Sequence, residues 1–399
     1  MTTADRARIG VLDAFRGLAV IAVLLYHFTY RFGPEGPAME GVDLYGSPLR
    51  VDWFSYGWLG VQFFFMISGF VIFMTLTRCR SAGEFGLRRL GRIYPPYVVA
   101  MVVTLVLVTL MGVDRFQRTP TEFLVGLTLN SDTVGVRWID GVYWSLLVEL
   151  KFYVLIGLAF LVFRGASFIW AWVGLNGLAI AVTFLNPVIA DNLLIAEALP
   201  FFTAGMGFFL VVEHGRLTRP AALLFAAAAI TYVAVDAPRW DVWASLIVLG
   251  MVGMFVAFIR GWLGFLSWAP LVFVGTISYS LYLLHENIGV SIIVLANRVP
   301  FLAGWLAIVI AMAAVVLLSW ALFRWVERPS QAWTRRAVHG WARLPRLLPF
   351  KAEVPNPPAN TEPEHQPSLA EWPQEQGANP DDRAESVAAP VVGPHTDRS

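Results

Sequence analysis

Apolar runs bounded by charges, glycine or proline recur along the chain at 11–31, 58–77, 93–112, 144–163, 168–186, 195–213, 219–235, 242–260, 270–296 and 303–325. Each comes close to the ~20 residues a helix needs to cross hydrocarbon at a rise of about 1.5 Å per residue. The run at 219–235 is short. Two polar stretches interrupt the series. One, 32–57, is rich in glycine and proline, and the other, 113–143, carries Asp114, Arg115, Arg118, Asp132, Arg137 and Asp140. The pattern predicts an all-α polytopic integral membrane protein of about ten transmembrane helices, with residues 1–350 as the membrane domain. From about 352 the chain becomes rich in Pro, Glu, Gln, Asn and Ala, with few branched apolar residues. Such a segment cannot offset the entropy of ordering, so 351–399 is expected to be a disordered cytoplasmic tail. No internal repeat is visible, which speaks against inverted-repeat transporters.

Composition narrows the class. Charged residues make up 14% of the chain, against about 25% in soluble domains. The 16 Trp and 29 Phe suit anchoring at lipid–water interfaces. The net charge of +1 comes without a basic face, so no nucleic-acid partner is expected. A single cysteine, Cys79, excludes an intramolecular disulfide. The N-terminal segment reads as a first membrane helix and not a cleaved signal peptide: Asp13 and Arg16 interrupt it, and no small-residue cleavage site precedes Tyr30. With a cytoplasmic N-terminus, the inside segments hold fifteen arginines as far as Arg336 and the outside segments seven. The bias of basic residues therefore places both termini in the cytoplasm, with the plasma (inner) membrane as the location.

Ionisable groups inside a membrane are costly and point to function. Only His27 and His285 of six histidines fall within the expected spans. In the first helix Arg16 and His27 lie about 20° apart around the axis, with Asp13 within about 60° of both, forming one polar stripe. Taken singly, each has a structural explanation, an Asp13–Arg16 pair at the interface or a histidine satisfied by a hydrogen bond. Glu149 lies several residues into the fourth span, at the depth of His27, where a carboxylate could orient the imidazole and stabilise its protonated form. The competing reading sets Glu149 beside Lys151, which faces elsewhere. Ser68 and Gly69 suit close helix packing as well as a site. Ser278, Tyr279, Ser280, Tyr282, His285 and Glu286 are dense enough to line a watery cavity. Arg88, Arg89 and Arg92 cluster where the third span begins; their forks suit phosphate, and they also serve topology.

The segments LDAFRGLAV…YHF, GWLGVQFFFMISGFVI, RRLGRIYPPY, YWSLLVELKFY, ISYSLYLLH and WVERP together resemble, in order, the membrane acyltransferase 3 family of O-antigen and peptidoglycan O-acetylases. The resemblance covers roughly residues 9–330. Arg16 and His27 match the family's Arg, ten residues, His pattern. Arg89 and Arg92 match its Arg-x-x-Arg, and Trp144, Ser145, Leu146 and Glu149 match its Trp-Ser-Leu-x-x-Glu-like stretch. The resemblance implies transfer of an acyl group, commonly acetyl from acetyl-CoA, to a hydroxyl of a carbohydrate or glycolipid at the bilayer. It also implies a stand-alone member lacking an SGNH-type domain. On this expectation His27 and Glu149 are catalytic. Asp13, Arg16, Arg89, Arg92, Ser68, Tyr279 and His285 bind substrate, with Ser68, Tyr279 or an amide near Gly69 as oxyanion donor. No metal and no permanently bound cofactor are expected beyond acyl-CoA as donor substrate. The alternative class is an exporter or flippase of a lipid-linked or acidic metabolite.

Overall fold

The computed structural model describes residues 3–32, 50–79, 81–163 and 165–341. The expected tail at 351–399 and most of the 32–57 loop lie outside the described residues. Fifteen α-helices follow one another: α1 Thr3–Tyr26, α2 Gly60–Arg78, α3 Ala82–Met111, α4 Pro120–Gly126, α5 Trp144–Val162, α6 Ala166–Leu185, α7 Pro187–Leu194, α8 Leu199–His214, α9 Arg219–Thr231, α10 Val242–Ile259, α11 Ala269–Thr276, α12 Ser278–Leu284, α13 Glu286–Asn297, α14 Trp305–Leu322 and α15 Arg328–Trp341. No strand occurs among the described residues. π-helical turns continue α1 through His27–Arg31, α9 through Tyr232–Asp236 and α14 through Phe323–Glu327.

Among the described residues, eight helices are long and apolar enough to cross a membrane, and ten if two bent pairs each count as one span. This makes the chain a multi-pass membrane protein. Large apolar side chains such as Leu185, Leu110 and Val162 face outward, as lipid contact allows and water would not. The ends follow local chemistry. Ser81 accepts a hydrogen bond from the Glu84 amide to start α3, and Gly112, at φ 66°, ends it in the left-handed conformation. Asp241 and Asn186 cap α10 and α7 in the same way.

Two expected spans are broken. The run at 195–213 is the second arm of a pair, α7 and α8, that bends by 41°. The run at 270–296 divides into α11, α12 and α13, with a 58° bend between the last two at His285. Broken backbone is tolerated at membrane depth only where protein encloses it, and His285 is fully buried. The length and apolar character of the run do not mark the bend, because both arms are apolar.

α2 is the central helix. Aromatic side chains pack it on its neighbours, with Phe63 and Phe70 against Phe255 and Phe65 against Phe202. Gly69 and Gly205 let α2 and α8 touch backbone to backbone: a Cβ on Gly69 would strike the Phe202 carbonyl, and one on Gly205 the Met66 carbonyl. The small-residue packing expected at Gly69 is present, while the adjacent Ser68 faces a cavity.

Candidate active site

A cavity of about 720 Å³, counted to its open mouth, runs between α1, α2, α3, α5 and α12. It follows α2 from Val61 to Ile72, about 16 Å at the standard rise. One end carries Arg89 and Arg92; Ser145 and Tyr282 line the other. Six sequence-predicted residues line this space: Arg16, Ser68, Arg89, Arg92, Glu149 and Tyr279. Asp13 holds Arg16 at 3.1 Å. Arg89 is buried, donates to the Thr75 hydroxyl and the Val71 carbonyl, and lies over the rings of Phe85 and Tyr153. Its charge is thus fixed in place, whereas Arg88 pairs with Glu84 at 2.9 Å on its own helix.

The expected His27–Glu149 pair is not formed. The Glu149 carboxylate accepts from Tyr153 at 2.6 Å and Ser68 at 3.3 Å. His27 has a different carboxylate: its Nε2 lies 2.9 Å from Glu286 Oε2, with both side chains buried. Equal depth on two helices does not fix lateral distance. The bend at His285 is what turns the start of α13 toward α1. Glu286 was visible as a polar residue at membrane depth, but nothing in a straight-helix reading would bring it to His27.

The hydrogen bonds assign the protons. His27 Nδ1 lies 2.8 Å from the Val23 carbonyl, which only accepts, so Nδ1 carries hydrogen. That leaves His27 Nε2, which faces Glu286 Oε2, as the nitrogen that can take up a proton. His285 donates from Nδ1 to the Tyr282 carbonyl at 2.9 Å, leaving its Nε2, 3.3 Å from His27 Nδ1, as an acceptor. His285 is therefore neutral and steadies the His27 ring edge-on at a centroid distance of 4.9 Å. Tyr282 stands between this group and the cavity; it lines the cavity, and its ring centroid is 5.6 Å from that of His285.

The loop before α5 clamps the break. Asp140 is fully buried and accepts from the Asn287 amide at 3.0 Å and the Val142 amide at 3.3 Å. Asn287 donates back to the Ile139 carbonyl at 2.7 Å. Tyr143 reaches the Leu283 carbonyl at 3.1 Å, and Ser145 bonds Tyr282 at 2.7 Å. The Asn287 amide and the Leu283 carbonyl, at the break of the helix, thus find partners on this one segment. Burial, with the neighbouring Glu286 charge, pushes the Asp140 pKa up, against the two amide donors and Arg118. Sequence reasoning missed Asp140 as a clamp because it reads as one loop charge among seven.

Further out, Glu122 and Thr119 form a capping box on α4, and Arg137 meets Glu122 at 2.7 Å. Burial would raise the Glu122 pKa, but the Thr119 amide, Arg137 and the Thr119 hydroxyl together hold it below the ordinary carboxylate value. A depressed carboxylate stabilises the fold above its unfolded pKa of about 4.3, and that contribution is lost as pH falls through the lower folded value. Amide exchange over 120–126, corrected for intrinsic rate, should stay slow from pH 7 to 5 and quicken below about pH 4. Glu122→Gln should flatten that pH dependence; equal acid loosening in both proteins would put the effect on another group.

Comparison with known proteins gives the family of the chain. The acyltransferase domain family matches residues 9–324, and the chain belongs to that family of membrane acyltransferases. O-acetyltransferase OatA of Staphylococcus aureus (strain NCTC 8325 / PS 47) is 23% identical over 386 residues, covering 84% of this chain and 58% of that protein. The OatA of strain COL matches equally. A shorter match to SACOL0978 of the same strain is 25% identical over 160 residues, covering 36% of this chain and 23% of that one. The chain thus spans little more than half the length of OatA. No solved structure matches the chain significantly.

Proposed function

We propose that the protein moves an acetyl group from acetyl-CoA, entering at the Arg89–Arg92 end, to a hydroxyl of a carbohydrate or glycolipid of the cell envelope presented at the His27 end. The observation that carries this reading is the buried His27–Glu286 pair, set behind Tyr282 from a cavity whose other end holds Arg89 and Arg92. The fifteen-to-seven arginine bias supports a cytoplasmic donor side, with both termini on that side of the plasma membrane.

In the proposed reaction the acceptor oxygen attacks the thioester carbonyl carbon, and its proton passes to the His27–Glu286 pair. The C–S bond breaks, and the CoA thiolate leaves with that proton. His27 acts as general base and Glu286 stabilises the imidazolium, the part expected of Glu149 from the sequence. Ser68 and Tyr279 are engaged with Glu149 and the Ile93 carbonyl. Among the cavity-lining hydroxyls, Tyr282 packs its ring on His285 and Ser145 bonds Tyr282, and both reach the Val142 carbonyl. One of them turning toward the thioester oxygen would supply the oxyanion donor.

The direct test is Arg89→Ala combined with Arg92→Ala. Loss of charge-assisted phosphate contacts should raise the KM for acetyl-CoA by about tenfold or more, in protein that still inserts. Wild-type donor dependence in the double variant would leave the cluster as a topology signal alone. A chain that exports metabolite without consuming acetyl-CoA would establish the transporter class instead.

A further inference from the structure

α3 and the helix ending in α15 are longer than a membrane requires. α3 has 30 residues, and the continuous helix Trp305–Val338 has 34, about 45 and 51 Å at the standard rise against a hydrocarbon core of about 30 Å. Both overhang at the arginine end, and the overhangs pack together, Gly91 directly against the Thr334 side chain. The helices run in opposite directions there. Glu327 anchors the start of α15 to Ser280, next to Tyr279, which bonds the Ile93 carbonyl; further along, Thr334 reaches back to Gly91.

Helical geometry fixes which arginines share a side. At about 100° per residue, Arg328 and Arg335 fall within about 20° of each other, about 100–120° round from Thr334. On α3, Arg88 and Arg92 fall about 60–100° round from Gly91 in the same sense of increasing residue number. For antiparallel helices in contact at Gly91 and Thr334, these two flanks lie on one side of the pair. Arg336 falls about 200° round from Thr334, on the far face, and is exposed.

Resting on the reading of acyl-CoA as donor, we infer that the α15 flank of Arg328 and Arg335 binds the ribose 3′-phosphate of the donor nucleotide. The thioester and pantetheine arm occupy the cavity, so the diphosphate falls at Arg89 and Arg92. The 3′-phosphate, on the other side of the diphosphate, must then lie outside the cavity, over the overhang. A phosphomonoester is dianionic near neutral pH, and arginine forks bind it with two parallel hydrogen bonds.

The test measures release of the free thiol, CoA or 3′-dephospho-CoA, by membranes containing the full chain, supplied with acetyl-CoA or acetyl-3′-dephospho-CoA. Wild type should prefer acetyl-CoA by about tenfold in KM. Arg335→Gln should raise the KM for acetyl-CoA toward that of the dephospho donor and leave the latter unchanged, which also reports intact folding. Arg328→Gln with Arg335→Gln should remove the preference, and Arg336→Gln should keep it. An equal rise for both donors, the same effect from Arg336→Gln, or an unaltered preference in the double variant would overturn the inference. A wild-type protein that consumes neither donor would instead remove the acyl-CoA reading on which it stands.

Discussion

His27→Ala is expected to lower acyl transfer by about 10²–10⁴-fold, the usual contribution of a general base, at unchanged membrane expression. Glu286→Gln keeps nearly the same shape and removes the charge that stabilises the imidazolium, so it should fall by a similar order. The two residues face each other across 2.9 Å, and groups that act as a unit are non-additive. Once His27 is alanine, Glu286→Gln should cost little more. Glu149→Gln provides the contrast. Its partners are Tyr153 and Ser68 within the cavity, so its effect should multiply with that of His27→Ala. The measurement is acetyl transfer in membranes from the three single variants and the two doubles. If Glu149 proved non-additive with His27 while Glu286 multiplied, the assignment of carboxylates would be reversed.

What the sequence discloses depends on which coordinate is asked of it. Position along the membrane normal is legible, because apolar length and arginine placement are one-dimensional. The spans at 58–77, 144–163 and 242–260 therefore recur as α2, α5 and α10, extended or trimmed at the ends. Lateral neighbours are not legible. Depth alone made Glu149 a partner for His27, yet Glu149 faces Ser68 across the cavity. The Arg16–His27 stripe is similarly divided, with Arg16 on the cavity and His27 behind Tyr282. Helix breaks are hidden for a related reason. α12 and α13 are both apolar, and the 58° bend between them depends on Asp140 and Asn287, 147 residues apart in sequence. A strong signal did exist in the run of His285, Glu286 and Asn287, three polar groups in succession at membrane depth. An unbroken helix would send them to three different faces, some toward lipid, at high cost.

Gly141 gives that geometry its second large test. A Cβ there would overlap Glu286 Oε1, with the carboxyl carbon 3.2 Å away. The methyl of Gly141→Ala must therefore displace the carboxylate or the loop. The loop is held by Asp140 on the Asn287 amide and by Tyr143 on the Leu283 carbonyl, so the carboxylate is the softer of the two. A misplacement of about 1 Å at a reacting group costs on the order of 10²-fold in rate. Gly141→Ala is accordingly expected to lower kcat by about that factor. The KM for acetyl-CoA should hold steady, because Arg89 and Arg92 lie at the other end of the cavity. Thermal unfolding in detergent separates this from simple loss of fold: a protein of wild-type stability with reduced kcat marks a displaced Glu286. A Gly141→Ala protein with wild-type kcat would show that Glu286 can leave His27 without consequence, and the carboxylate would then have to be removed from the proposed mechanism.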